Sequence, residues 1–359
     1  MQAILDFKHR YGPVLTGYVL VAVTVWLLGI IVLPQAMMLE YSFWRLDRSH
    51  STEMNAEIER LYMEKQKIER QIRGIDRELR KPDVTDKATL ESQKAPLSAQ
   101  VADIEAKLPA MEEQVTRPVK VYGPDNYIHF LTSELHWTIF LKTIWASVIV
   151  TVIAVLICYP VAYYIAHVAP AHRAPLLMLA LIVPYWVNEL LRTLAWLMIL
   201  SENGIANLAL RAIGLSGVDW LNADSGVIIG MTYAYVLFMI FPIYNVLETL
   251  DRNQIEAARD LGASWPRIHW RIVIPHAKPG IAVGCIMVFM LAAGSFAVPQ
   301  ILGGVRSVWF TQVIYAWFYD HSNWNMGATY AMGLLFLCIF FVMLMMRLFR
   351  VRLEDIARG

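Results

Sequence analysis

The sequence predicts an all-α membrane protein: six transmembrane helices, with an antiparallel coiled-coil hairpin outside the bilayer inserted after the first. Three observations predict it. Long apolar runs recur along a chain that is 57% hydrophobic and only 17% charged, and a soluble protein of this length rarely carries so many. The Lys and Arg residues of the short loops gather on one side of a six-span path. One charged stretch, 49–120, drops the apolar pattern and takes up a heptad pattern.

Taken in order, residues 1–13 place Lys8 and Arg10 ahead of an apolar run from Val14 to Leu39. No small-x-small cleavage site follows and the run is long enough to span, so it reads as an uncleaved first helix. Five further spans are expected at about 138–167, 175–199, 224–247, 280–302 and 328–349. Pro160 in the second and Pro184 in the third are tolerable where neighbouring helices satisfy the freed carbonyls. With the N-terminus inside, the cytoplasmic side receives Lys8, Arg10, Arg173, Arg252, Arg259, Arg267, Arg271, Lys278, Arg347, Arg350, Arg352 and Arg358. The opposite short loops receive only Arg211 and Arg306, so both termini are expected in the cytoplasm. The outer loops also carry Glu202, Asp219, Asp224 and Asp320, a slightly acidic mouth screened within about 10 Å in salt.

Within 49–120, Ile58, Leu61, Lys65, Ile68, Ile72, Ile75 and Leu79 alternate spacings of three and four. Leu90, Lys94, Leu97, Val101, Ile104, Leu108 and Met111 do the same. Folding back about Lys81–Asp86 pairs Leu79 with Leu90, Ile72 with Leu97 and Leu61 with Leu108. It also sets Lys65 against Ile104 and Lys94 against Ile75, where lysine stems cover apolar surface while their ammonium groups reach water. Such a hairpin would extend roughly 40 Å at 1.5 Å per residue. The organisation is therefore 1–48 with the first span, the 49–120 hairpin, a 121–350 membrane core with a cytoplasmic loop at 248–279, and a 351–359 tail.

The chemistry of common hydrolases is missing from the sequence. No Gly-Lys dipeptide occurs, so there is no phosphate-binding GxxxxGK loop, and neither HExxH nor GxSxG is present. Cys158, Cys285 and Cys338 sit in apolar runs without disulfide or metal spacing and read as packing residues. GVIIG (Gly226, Gly230) and GIAVG (Gly280, Gly284) suit close helix packing. His269 and His276, seven residues apart, read as surface residues. Ionisable residues within a span are costly and usually face the bundle or a wet cavity. Asn188, Glu189 and Arg192 lie in the third apolar run, with Glu189 and Arg192 three apart and able to meet on one face. They read either as a polar patch on a translocation path or as a mutually neutralising structural pair.

The most specific stretch is Glu256–Pro275, EAARDLGASWPRIHWRIVIP. Asn253 is expected to cap its first helix, Gly262 to end it in a left-handed conformation, and Ser264 to cap a second helix that stops before Pro275. Glu-Ala-Ala, three residues, Gly, nine residues, then Ile-x-Ile-Pro resembles the EAA loop of binding-protein-dependent ABC importer permeases. Ile274 stands where that pattern has leucine. LLMLALIVPYWVNELLRTLAW, SGVIIGMTYAYVLFMIFPIY, LPQAMMLEYSFWR and PDNYIHFL resemble the spermidine/putrescine permease branch of that family. The likeness covers about 14–48 and 123–350, and the 49–120 insertion is its clearest departure.

The resemblance implies the type I importer permease fold in a bacterial inner membrane. It implies a transport subunit, not an enzyme, forming half of a path for a small solute of the polyamine kind. Glu256, Ala257, Ala258, Arg259, Asp260, Gly262, Ile272 and Pro275 would form the ATPase-coupling loop. Asn188, Glu189 and Arg192 would be candidates for the path. The implied partners are a second, related permease (a heterodimer), two copies of a cytoplasmic ATPase and a periplasmic solute-binding protein, beside the lipid bilayer and without nucleic acid. ATP and Mg would be bound by the ATPase, and this chain would hold no cofactor or metal. The competing reading is an ATP-independent secondary transporter or channel, which would show internal repeats or paired broken helices.

Overall fold

The computed structural model describes residues 12–47, 49–79, 87–116, 119–221, 223–304 and 307–350. The expected turn Lys81–Asp86, the side chains of Leu79 and Leu90, and Lys8, Arg10, Arg306, Arg352 and Arg358 lie outside the described residues. The chain divides into two compact units, Phe43–Asn126 and the remainder.

In the larger unit, six helices among the described residues are long and apolar enough to cross a membrane. They are Pro13–Ser42, Glu134–Val168, Glu189–Ala212, Asp224–Glu248, Trp265–Ala293 and Trp324–Phe349. The core lies where the helices Glu134–Val168, Asp224–Glu248 and Trp265–Ala293 meet, around Val150, Met231, Met239, Ile243 and Val288. Small residues allow this approach. A Cβ on Gly280 would stand 2.3 Å from the Pro242 carbonyl oxygen, and one on Gly284 2.5 Å from the Met239 sulfur. Cys158, Cys285 and Cys338 are free and buried, as packing residues should be. The first helix leaves most of its Leu, Ile and Val exposed, a surface suited to lipid. Its end is tied to the last helix, where Asn325 donates to the Tyr41 carbonyl at 2.9 Å and Thr329 to that of Ser42 at 3.2 Å.

Two apolar stretches depart from the expected single helices. The third, expected over 175–199, runs as a helix Ala174–Ile182 and a 3₁₀ turn Val183–Trp186, breaks at Val187–Asn188, and restarts as Glu189–Leu200. Pro184 sits in the 3₁₀ turn, and the Asn188 side chain accepts from Leu190 N–H at 2.8 Å, capping the new helix. The fifth, expected over 280–302, instead begins at Trp265 and ends at Ala293, and Ala297–Leu302 is a separate short helix beyond Gly294–Phe296. Irregular backbone at membrane depth is tolerated where protein surrounds it or water lines it, so both breaks mark an interior.

The smaller unit holds the helices Ser49–Leu79 and Lys87–Thr116. Ile58, Ile68, Ile104 and Leu108 form its buried cluster, with Leu61, Ile72, Leu97, Val101 and Met111 against them. The two lysines of the seam meet carboxylates of the facing helix, Lys65 with Glu105 and Lys94 with Asp76, each at 2.6 Å. Lys65 has a raised pKa, chiefly through its hydrogen bond to Glu105. The helices stand on an antiparallel ribbon of Trp44–Asp47 and Val119–Tyr122, with Trp44 opposite Tyr122, an addition to the all-helical expectation. Lys120 lies over the Trp44 ring at 4.5 Å.

Candidate functional site: an exposed loop helix and a broken membrane helix

The loop between the fourth and fifth long helices carries a short helix, Arg252–Asp260. Its cap is Asp251, whose carboxylate accepts from Asn253 N–H at 3.0 Å, and not Asn253 as expected. An acidic cap two residues earlier also meets the positive helix end. The C-terminus closes as a Schellman motif: Ala263 N–H donates to the Ala258 carbonyl at 3.0 Å and Gly262 N–H to that of Arg259 at 2.9 Å. Gly262 takes φ +76°, the left-handed conformation its sequence position called for.

Ile255 faces the core, while Glu256, Ala257, Arg259, Asp260 and Gly262 are exposed and Ala258 is half-buried. Leu261 is 89% exposed and Trp265 63%, two apolar side chains on the same loop that the motif did not single out. Their signal was available: a Leu and a Trp flanking a turn glycine have no helical face to fill. Ser264 begins the next helix through its backbone, without the expected side-chain cap.

That second helix does not stop before Pro275. It runs through a π turn, His269–Val273, directly into Ile274–Ala293. A π turn absorbs an extra residue and moves aside the carbonyl that the proline ring would otherwise strike. Ile272 is half-buried against the core and Pro275 is exposed in the first turn after the π segment. His269, expected at the surface, is only 5% exposed because Tyr159, Tyr163 and Trp265 enclose its ring.

At the broken helix, Glu189 and Arg192 turn to different partners. Glu189 Oε1 accepts from Tyr235 O–H at 3.3 Å. The Arg192 guanidinium lies 4.3 Å from the centre of the Tyr185 ring, with Nε and Nη1 buried and without hydrogen-bond partners among the described residues. The expected pairing is replaced by an aromatic partner close to each group, Tyr235 for Glu189 and Tyr185 for Arg192. Tyr185 itself bridges the fourth helix, donating to the Tyr233 carbonyl at 2.9 Å and accepting from Leu237 N–H at 3.1 Å. The first break thus gathers a phenol, a carboxylate and a guanidinium lying over an aromatic ring. Asn188 contributes the cap and is exposed.

The acidic mouth is weaker than its sequence suggests. Asp224 is paired with Lys142 at 2.7 Å and accepts from the Ser307 hydroxyl.

The comparisons with known proteins agree with this architecture. Residues 142–354 match the family described as the binding-protein-dependent transport system inner membrane component. The chain belongs to that family. Among its relatives is the spermidine/putrescine transport system permease protein PotB of Haemophilus influenzae, 34% identical over 219 residues, covering 60% of this chain and 75% of that one. The Escherichia coli K12 protein of the same name is 36% identical over 225 residues, covering 60% and 81%. The inner membrane ABC transporter permease protein YdcU of the same organism is 31% identical over 190 residues. A chain from the crystal structure of a bacterial ABC transporter that imports the acidic polysaccharide alginate superposes with a TM-score of 0.52. It is 17% identical, and the match covers 64% of this chain and 84% of that one. That likeness fixes the fold. The protein is thus a multi-pass membrane permease subunit of the importer kind and not an enzyme.

Proposed function

We propose that this chain is one of two membrane subunits of an ATP-driven importer, forming half of the path for a polyamine of the spermidine/putrescine type. The observation that carries the reading is the exposed helix Arg252–Asp260, closed by left-handed Gly262 and flanked by the bare side chains of Leu261 and Trp265. A rigid knob with small residues Ala257 and Ala258, polar Glu256, Arg259 and Asp260, and an apolar rim suits a groove on a cytoplasmic ATPase. Ile272 and Pro275 lie within the fifth helix, just beyond the knob. ATP and Mg belong to two copies of that ATPase, and their closure would push this loop and its counterpart together. One chain supplies one loop, so a second, related permease completes the pair and a periplasmic binding protein delivers the solute. Both termini lie in the cytoplasm, and the 49–120 coiled-coil hairpin lies on the binding-protein side as an added contact.

The path reading places Glu189 where a solute ammonium would find a carboxylate, with Tyr235 and Tyr185 as aromatic walls. Support for a polyamine comes from the names of the relatives and from this carboxylate. The test is a mild-detergent purification of the tagged full chain from its native membranes, followed by mass spectrometry. An ATPase, a second permease and a soluble binding protein are expected with it. Recovery of the chain alone from several detergents would contradict the assignment.

A further inference from the structure

The loop helix and the start of the fifth helix are each fastened to the second membrane helix at one point. Arg252 donates to the Ala166 carbonyl at 3.3 Å, within the π turn Tyr164–Val168 that ends that helix. The Tyr159 hydroxyl and His269 Nδ1 lie 2.6 Å apart. His269 sits in the π turn His269–Val273, so each of the two contacts has one partner in a π turn. Such turns recur at functional sites because they loosen a helix at one place while keeping its direction.

The His269 ring also packs against Trp265, with ring centres 4.0 Å apart and planes tilted by 47°, and Trp265 is exposed just after the Gly262 turn. It also meets Tyr163 edge-on, with ring centres 4.5 Å apart. Its Nε2 is buried with no hydrogen-bond partner among the described residues, so its one polar tie is to Tyr159. Behind Tyr159, Cys158 donates to the Val236 carbonyl of the fourth helix at 3.4 Å. Val236 is next to Tyr235, which holds Glu189. A continuous line of contacts therefore runs from the exposed Trp265 to the carboxylate at the helix break.

We propose that Tyr159 and His269 are the transmission pair of this permease: through their hydrogen bond, displacement of the loop helix is passed to the second membrane helix and onward to the path. Both are positioning residues. The inference rests on the reading of Arg252–Gly262 as the ATPase contact.

The test uses the complete importer, purified through this chain and reconstituted in vesicles, and reads solute taken up per ATP hydrolysed. Tyr159→Phe and His269→Phe each keep the rings and remove the bond. Each is expected to lower uptake per ATP about tenfold, the scale of one buried hydrogen bond, with ATPase recovery unchanged. The double variant is expected to lose no more than either single one, since both remove the same contact. Wild-type uptake per ATP in either single variant, or losses that multiply to about a hundredfold in the double variant, would overturn the proposal. A wild-type chain that recovers no ATPase would overturn the loop reading, and this proposal with it.

Discussion

Gly262 is the residue on which the loop turns. It holds φ +76°, and a Cβ there meets nothing within 4 Å, so any cost of substitution is conformational and not a clash within the chain. Gly262→Asp puts a side chain in a left-handed site, which aspartate bears better than most residues, and plants a negative charge on the exposed rim. ATPase recovery with the purified chain should fall at least about tenfold, and Gly262→Ala should fall less. Normal recovery together with normal uptake in Gly262→Asp would remove this loop from the coupling role.

Glu189 tests the path in the same way. Glu189→Gln keeps the shape of the side chain and removes the charge, so uptake should drop about tenfold while ATPase recovery stays as in wild type. Unchanged uptake would leave Glu189 as a structural partner of Tyr235. At this scale Gly262 was legible because its conformation is intrinsic to the residue. His269 and Asp251 were not. Whether a histidine is buried depends on Tyr159 and Tyr163, more than a hundred residues away, and two capping residues two positions apart differ only in where the chain turns.

At the scale of elements, the long apolar helices announced themselves by length, and their interruptions did so only in part. Pro184 and Asn188 stand in the order expected of a helix end and a new cap, yet continuous hydrophobicity across VPYWV hid the break. The second break, at Gly294–Phe296, had a single glycine as its signal. The π turns Tyr164–Val168 and His269–Val273 have no composition of their own that marks them in the sequence. Removing the Asn188 cap by Asn188→Ala should cost about 1 kcal/mol, read as a lower melting temperature of the purified complex. An unchanged melting temperature would mean that packing alone sets the break. The insertion is the element with the sharpest sequence pattern, since a heptad seam needs only local spacing. The ribbon beneath it was missed because four-residue strands such as Trp44–Asp47 are too short to show alternation. Deleting Ser51–Val115 should reduce assembly or uptake. Full uptake and full assembly in that variant would leave the hairpin without a part in transport.

At the scale of the molecule, six long helices, a protruding loop and a polar break make one machine only if outside energy reaches the path. Family membership, from residues 142–354, accounts for the helices and the loop. The line from Trp265 through His269 and Tyr159 to Tyr235 and Glu189 accounts for how one end of the bundle informs the other. The same six helices would also serve a carrier that runs without ATP. The deciding measurement is accumulation of labelled spermidine by vesicles containing the purified complex, with and without enclosed ATP and with binding protein outside. The account predicts accumulation above the external concentration only when ATP and binding protein are both present. Equal accumulation without ATP would contradict it and make this chain an ATP-independent transporter.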